Sequence, residues 1–520
     1  MLFPTFSFLF FFTAVFIIYW FVFRMQTARK IFLIVASYVF YAFWDWRFCF
    51  LLLSASLVNW AFACTVAEGD NKQEANNGKK IAIVFAVVVN VAILWFFKYY
   101  DFFADSFNIM LFKLSGGKNF EDILPVLHIV LPVGISFYTF KGLSLIFDSS
   151  SGALFTGYGS YSENALLFTG VYSSKRAALS SPKGLIDTLV YISFFPQVAS
   201  GPITHASEFY REVDASTSRS TIDFSAASAL IMSGLLKKMV FANYLSTLFV
   251  NPVFNNLSAY TGFQVLLAAF GYSSVLYCDF SGYSDMAIGI ALLLGFETPK
   301  NFDRPYISCS IGDFWRRWHI TFSTWLKKYL YFKMGGSRHG QLRTIIALAV
   351  TFLVSGLWHG AKWMFVLWGL MQGLALIFEH CIKYGKKRAS NSFGLALQVI
   401  ITFFYTTISW VVFRAANWKE VVSWWRAFIA NPNGFWGTKV IDSLPSSVTN
   451  SNASILTPLV ITLLMISLGM HLVPNKVRDD AMSIWRSIPL CFQVIVIVGF
   501  FAGLSIFSMS SVAPFIYFSF

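Results

Sequence analysis

Apolar residues run along this chain in blocks, most of them about 20 residues or longer, separated by short polar intervals. That spacing matches the hydrocarbon thickness of a bilayer. The blocks lie at 2–23, 31–65, 81–103, 122–147, 185–200, 226–252, 263–295, 344–382, 393–414, 455–474 and 489–511. The run 31–65 is long enough for two spans broken at WDWR (Trp44 to Arg47), and 344–382 for two broken near Gly356–Gly360. The pattern predicts an all-α polytopic membrane protein with about eleven to thirteen membrane segments. The first 23 residues lack a basic leader and a small-residue cleavage site, so they read as a retained span. Residues 66–80, 148–184 and 430–453 are polar loops, none with the composition of a separate domain. The expected organisation is therefore one membrane-embedded unit, 1–520. It has N-terminal spans in 1–115, a motif-bearing core at about 122–383 and C-terminal spans in 393–520.

One segment departs from the blocks. In 313–334 (DFWRRWHITFSTWLKKYLYFKM), a turn of about 100° per residue puts Phe314, Trp318, Phe322, Trp325, Tyr329 and Phe332 on one stripe. Arg316, Arg317, Ser323, Thr324, Lys327 and Lys328 fall opposite, and His319 lies at the border. Such a helix is expected to lie in the membrane interface, or to dip in and return.

Composition agrees with the pattern. The chain is 57% hydrophobic and only 12% charged, against roughly 25% charged in soluble domains. The net charge of +14 is not a nucleic-acid signature. Lys and Arg sit in short loops such as 24–30 (RMQTARK) and 383–388 (KYGKKR), where they follow the positive-inside bias and meet anionic lipids. The six cysteines are scattered without CxxC or metal spacing, which predicts neither a disulfide framework nor a metal site.

Four motifs interrupt the hydrocarbon with polar groups. In GLWHGAKW, Gly356 and Gly360 permit close helix approach. His359 is either a satisfied helix contact or a proton-transfer group, since ionisable residues at membrane depth are costly. In FWRRWHITFSTWL, His319 is either incidental to an interfacial anchor or a second functional imidazole. In YCDFSGYSDMAIGIALLLGF, Asp279, Ser281, Ser284 and Asp285 suggest a helix broken at Gly282 whose freed backbone groups they satisfy. In SFFPQVASGPI, Gln197 sits on a kinked or re-entrant end, where it could line a cavity.

Together with LPVGISFYTF (131–140) and NFDRPY (301–306), these motifs resemble the membrane-bound O-acyltransferase (MBOAT) family. The likeness is nearest to the bacterial branch that O-acetylates cell-envelope polysaccharides, and it runs over nearly the whole chain. The resemblance implies a ring of helices around a central funnel or tunnel, in the inner membrane of a bacterium. It implies His359 as the catalytic residue and His319 as a second catalytic position.

The reaction expected on that basis is acetyl transfer from acetyl-CoA, with no bound cofactor, to an envelope polysaccharide such as peptidoglycan or alginate. His359 acts as general base, and Trp358 and Trp363 wall the site. Further candidates for substrate or donor contact are Trp318, Asp313, Asp279, Ser281 and Gln197. Arg316, Arg317, Arg338 and Arg343 could hold the donor's phosphates or lipid headgroups. The chain carries no evident polysaccharide-binding domain. By the same resemblance the acetyl group is relayed to a periplasmic SGNH-type acetyltransferase partner (AlgJ/AlgX- or PatB-like).

The sequence departs from the family pattern at Lys141, at Asn243–Tyr244, at Lys362 and in the long stretch 148–184. Two alternatives stand beside this reading: a transporter or flippase without chemistry, and an acyltransferase acting on a lipid or protein. The absence of a fixed-period repeat weighs against an inverted-repeat transporter.

Overall fold

The computed structural model describes residues 1–67, 75–116, 123–155, 174–214, 222–382, 391–430 and 455–507. Most of the three predicted polar loops, and the basic run 383–388, lie outside the described residues. Among the described residues there is no strand. Seven helices are long and apolar enough to cross a bilayer: Arg47–Val66, Asn77–Leu114, Phe224–Asn255, Gly262–Leu293, Gln341–His359, Trp363–Cys381 and Ser392–Arg414. A helix pair bent by 114°, Asn475–Ser487 with Leu490–Ile506, passes the same criteria as one broken span. The shorter apolar helices are Phe6–Val22 and Pro458–Gly469. The chain is a multi-pass membrane protein. It forms two compact units, Met1–Phe224 with Ile290–Pro299, and Ser225–Gly289 with Lys300–Phe520.

In the first unit, α1 (Phe6–Ile17), α2 (Gln26–Ala42), α3 (Arg47–Val66) and α4 (Ala75–Leu114) precede α5 (Ile135–Ser150) and α6 (Pro182–Ser193). The predicted break at WDWR is the turn between α2 and α3. Polar side chains join these helices where lipid offers no partner. Asn59 and Asn90 exchange amide hydrogen bonds at 3.2 and 2.9 Å. Buried Lys30 donates to Asp187 at 2.6 Å.

The predicted span 122–147 is helical only from Ile135. Pro125 and Pro132 cannot donate to a helix. The irregular stretch is satisfied instead by α4, whose Asp101 carboxylate accepts the Leu127 and Ile129 N–H groups at 2.8 and 2.7 Å. Gly134, at φ +73°, opens α5, and its Cα hydrogen side faces the carbonyl of Val198, so no side chain fits. SFFPQVASGPI is kinked as expected, with α6 ending at Ser193 and a short helix restarting at Phe195.

In the second unit, α7 (Phe224–Leu235) continues through two π-helical turns, Leu236–Ala242 and Ser246–Val250, and lies against α8 (Gly262–Leu293). Contrary to the expected break, α8 is unbroken at Gly282. A Cβ on Gly282 would stand 2.7 Å from the Gly234 carbonyl oxygen, so the glycine serves close helix approach and its own ladder stays intact. The acidic residues of α8 pair with lysines presented by the π turn of the neighbouring helix. Lys237 meets Asp285 at 2.6 Å, and Lys238 meets Asp279.

Candidate active site

The aromatic stripe of 313–334 is buried from Phe314 through Tyr329, whereas Phe332 is exposed. The segment is not one helix. It divides into α9 (Ile311–Arg317), α10 (Ile320–Leu326) and a π turn, Lys327–Tyr331. The break falls on His319, which adopts left-handed φ 43°, ψ 54° without being glycine. That conformation costs on the order of 1–2 kcal/mol, so the surroundings must enforce it. They do so with a short ladder to the NFDRPY segment. Asp303 N–H donates to the Arg317 carbonyl at 2.9 Å, and Ile320 N–H donates to the Asn301 carbonyl at 2.9 Å. Glu379 fixes the start of α9 by accepting the Ile311 and Gly312 N–H groups, at 2.5 and 2.9 Å. His319 is thereby driven inward and is completely buried, which the border position in the helical projection did not foretell.

His359 is the last residue of α11 (Gln341–His359), and α12 (Trp363–Cys381) returns antiparallel beside it. The expected break in 344–382 therefore falls at Gly360–Lys362. The hairpin closes tightly because a Cβ on Gly356 would collide with the Phe365 carbonyl and stand 3.0 Å from Gly369 Cα. Gly369 in turn faces the Phe352 carbonyl. A third helix, α13 (Ser392–Arg414), brings Trp410 and Phe413 to the same place.

The result is an aromatic chamber around His359, which is 3% exposed. Its ring lies 4.9 Å from Trp358, 5.0 Å from Trp368 and 5.1 Å from Phe413, all three edge-on. His319 shares two walls with His359: it lies 5.6 Å from Trp358 and 5.0 Å from Phe322, whose ring is 6.2 Å from His359. Trp358 and Phe322 themselves stack at 4.2 Å. Two imidazoles 40 residues apart thus meet across one pair of rings. Asn301 supplies the polar floor under His319. Its Oδ1 accepts from His319 Nδ1 at 3.1 Å and from the Thr321 hydroxyl and N–H at 2.9 and 3.3 Å, while its Nδ2 donates to Ser284 at 3.0 Å.

The remaining candidates separate into distinct places. Trp318 joins the chamber wall, packing 5.1 Å from Trp410, which stacks 5.4 Å from Trp368. Trp363 does not wall the site: it is 59% exposed. The helix restarts at this residue, so the inward positions of α12 are Met364, Phe365 and Trp368, and Trp363 faces outward. Asp313 and Arg317 hold the local framework together, Arg317 reaching Asp313 at 3.1 Å and Asp303 at 3.9 Å. Arg316, Arg338 and Arg343 are exposed guanidiniums, Arg338 lying over the Phe332 ring at 5.5 Å.

Asp279 is committed to Lys238, and Ser281 is buried in α8. Asp279 also lines a separate cavity of about 700 Å³ with Arg414, Asn251 and Tyr272. Gln197 belongs to the first unit, where it accepts from the Thr204 hydroxyl at 3.1 Å. Lys362, the unexplained cation near His359, caps α12 with its ammonium 5.7 Å from the Phe365 ring. Sequence reasoning missed Asn301, Trp368, Trp410 and Phe413. Asn301 had a signal, being the one amide in NFDRPY, a motif already singled out. The other three lay unmarked among many aromatics.

The family model described as MBOAT, membrane-bound O-acyltransferase family, matches residues 123–418, which include both histidines and Asn301. The chain is 33% identical over 405 residues to a peptidoglycan O-acetyltransferase of Helicobacter pylori, covering 76% of this chain and 72% of that protein. It is 35% identical over 432 residues to a protein of Pseudomonas aeruginosa named probable alginate O-acetylase AlgI, covering 83% of this chain and 74% of that one. A teichoic acid D-alanyltransferase of Bacillus subtilis is 28% identical over 305 residues, 56% of this chain and 70% of that protein. The family match and the relatives named for O-acetyl transfer make this chain an O-acyltransferase, not a transporter without chemistry, and the chain belongs to the membrane-bound O-acyltransferase family.

Proposed function

We propose that this protein O-acetylates a cell-envelope polysaccharide, working in the bacterial inner membrane with acetyl-CoA as donor and His359 as general base. The observation that carries the proposal is the buried aromatic cluster in which His359 and His319 share the walls Trp358 and Phe322. The relatives named for O-acetylation of peptidoglycan and alginate support the acceptor class.

In this mechanism His359 takes the proton of an acceptor hydroxyl as its oxygen attacks the acetyl carbonyl. The tetrahedral oxyanion then collapses, the carbon–sulfur bond breaks, and the imidazolium returns its proton to the departing thiolate. Neither product retains an extra proton or charge. Trp358, Trp368 and Phe413 exclude water, which would otherwise intercept the acetyl group. The exposed guanidiniums of Arg338 and Arg343 lack the pairing to Asp313 that Arg316 and Arg317 have, and they are the better candidates for the donor's phosphates.

The acceptor hydroxyl belongs either to the polymer or to a periplasmic SGNH-type partner that passes the acetyl group on. The test is ester-linked acetate on each envelope polymer, compared between wild-type cells, cells lacking this chain, and cells lacking the partner. Loss from one polymer in the first deletion is the expected result. Unchanged acetate on every polymer contradicts the proposal, and acetate retained without any such partner contradicts the relay.

A further inference from the structure

His319 carries an unusual combination of features: complete burial, left-handed backbone, and one ring nitrogen engaged while the other is not. Which nitrogen bears the proton follows from its neighbours. The backbone N–H of Thr321 can only donate, and it points at the same Asn301 atom that His319 Nδ1 meets, at 3.3 Å. That atom must therefore be the amide oxygen; an NH₂ group there would oppose a fixed donor. The reverse side of the amide agrees, since Nδ2 reaches the Ser284 hydroxyl at 3.0 Å.

An amide oxygen accepts and cannot donate, so His319 Nδ1 carries hydrogen. In the neutral ring Nε2 is then a bare lone pair. Among the described residues Nε2 is buried without a hydrogen-bond partner, and leaving such an atom unmet costs on the order of 1–3 kcal/mol. The ring faces around it are Phe280 at 4.7 Å, Phe322 at 5.0 Å and Trp358 at 5.6 Å, the last two being walls shared with His359.

We propose that Asn301 is a positioning residue that locks His319 as the Nδ1–H tautomer, so that His319 presents a hydrogen-bond acceptor to the acyl-transfer chamber. The group it takes is a substrate O–H or N–H. While neutral it cannot donate to the oxyanion, so that stabilisation must come from backbone N–H groups or another donor. Asn301 acts twice: its backbone carbonyl pins Ile320 and enforces the left-handed turn, and its side chain sets the proton. This inference rests on the acyltransfer reading for the role of the acceptor, but not for the tautomer itself.

The test reads the proton directly. Nitrogen-15 NMR of histidine-labelled protein in bilayers, with the His319 signal assigned by difference against His319→Gln, should show Nδ1 protonated and Nε2 bare at neutral pH. Asn301→Asp keeps an acceptor in place and should keep that pattern. Asn301→Leu should populate the other tautomer and lower kcat by about 10- to 100-fold, with KM for acetyl-CoA changed far less. A protonated Nε2 in the neutral wild-type ring overturns the proposal, as does an Asn301→Leu protein with unaltered tautomer and kcat. If Asn301→Leu fails to fold, the wild-type and Asn301→Asp spectra still decide. The spectra need no turnover, so a wrong assignment of the reaction would leave them as predicted.

Discussion

Gly356→Ala isolates the link between helix packing and the chamber. The added methyl would stand 3.0 Å from Gly369 Cα and nearer still to the Phe365 carbonyl oxygen. Carbon contacts settle at about 3.5–4.0 Å, so α11 and α12 must part by roughly 0.5–1 Å. Overpacking of this kind costs about 1–3 kcal/mol, while exchanging a helical glycine for alanine returns about 1 kcal/mol. The net loss is about 0–2 kcal/mol, a modest fall in Tm. Catalysis is more sensitive. His359 follows Gly356 by less than one turn, and Trp368 on the opposite helix is its wall at 5.0 Å. A displacement near 1 Å at a reacting centre costs up to about 100-fold in rate. The assay is acetyl transfer from radiolabelled acetyl-CoA by purified protein in nanodiscs, with thermal unfolding followed in parallel. Gly499→Ala is the control, since nothing lies within 4 Å of a Cβ there; it should keep wild-type turnover and gain up to about 1 kcal/mol of stability. Wild-type turnover in Gly356→Ala, or equal losses in both variants, would refute the reasoning.

Two further outcomes test the framework. Lys238→Met removes one partner of a buried pair whose carboxylate, Asp279, is 3% exposed, so it should destabilise by up to about 3–5 kcal/mol; the double variant Lys238→Met with Asp279→Leu should recover much of that loss. Thermal unfolding of the two proteins decides, and equal Tm values would contradict it. For Asp303, burial alone would raise the carboxyl pKa. The Lys300 hydrogen bond with the Lys300, Arg304 and Arg317 charges outweighs burial and holds it below its ordinary value. The folded-state pKa is thus depressed. Asp303 contributes stability above its unfolded pKa of about 3.9 and loses it as pH falls through the lower folded value. Being about a third exposed, the contribution is below about 1 kcal/mol. Asp303→Asn should be slightly less stable than wild type at pH 6, with the difference shrinking under acid; a difference that grows under acid would reverse the sign.

The long spans were legible because a bilayer imposes both length and apolarity, so Gln341–His359, Trp363–Cys381 and Ser392–Arg414 fell where the blocks predicted. The histidines were legible because a polar ring in hydrocarbon is conspicuous. What escaped was tertiary. The His319 break depends on a ladder to Asn301 and Asp303, which no periodicity within 313–334 encodes. Gly282 looked like a helix breaker, and only the neighbouring Gly234 shows it to be a contact. Trp363 looked like a wall because it flanks the motif, but the restart of the helix turns it outward. Asn301 was visible as part of NFDRPY, yet its value lies in an atom-level pairing with a residue 18 positions on.

The central claim is that His359 is the base of an acetyl transfer. The most direct measurement is single-turnover acetyl transfer by purified His359→Ala beside wild type, with His359→Gln as a shape-keeping control and unfolding curves to verify the fold. A folded His359→Ala protein slower by at least about 100-fold, with acetyl-CoA still bound, is the predicted result. Wild-type rates from that folded variant would contradict the account.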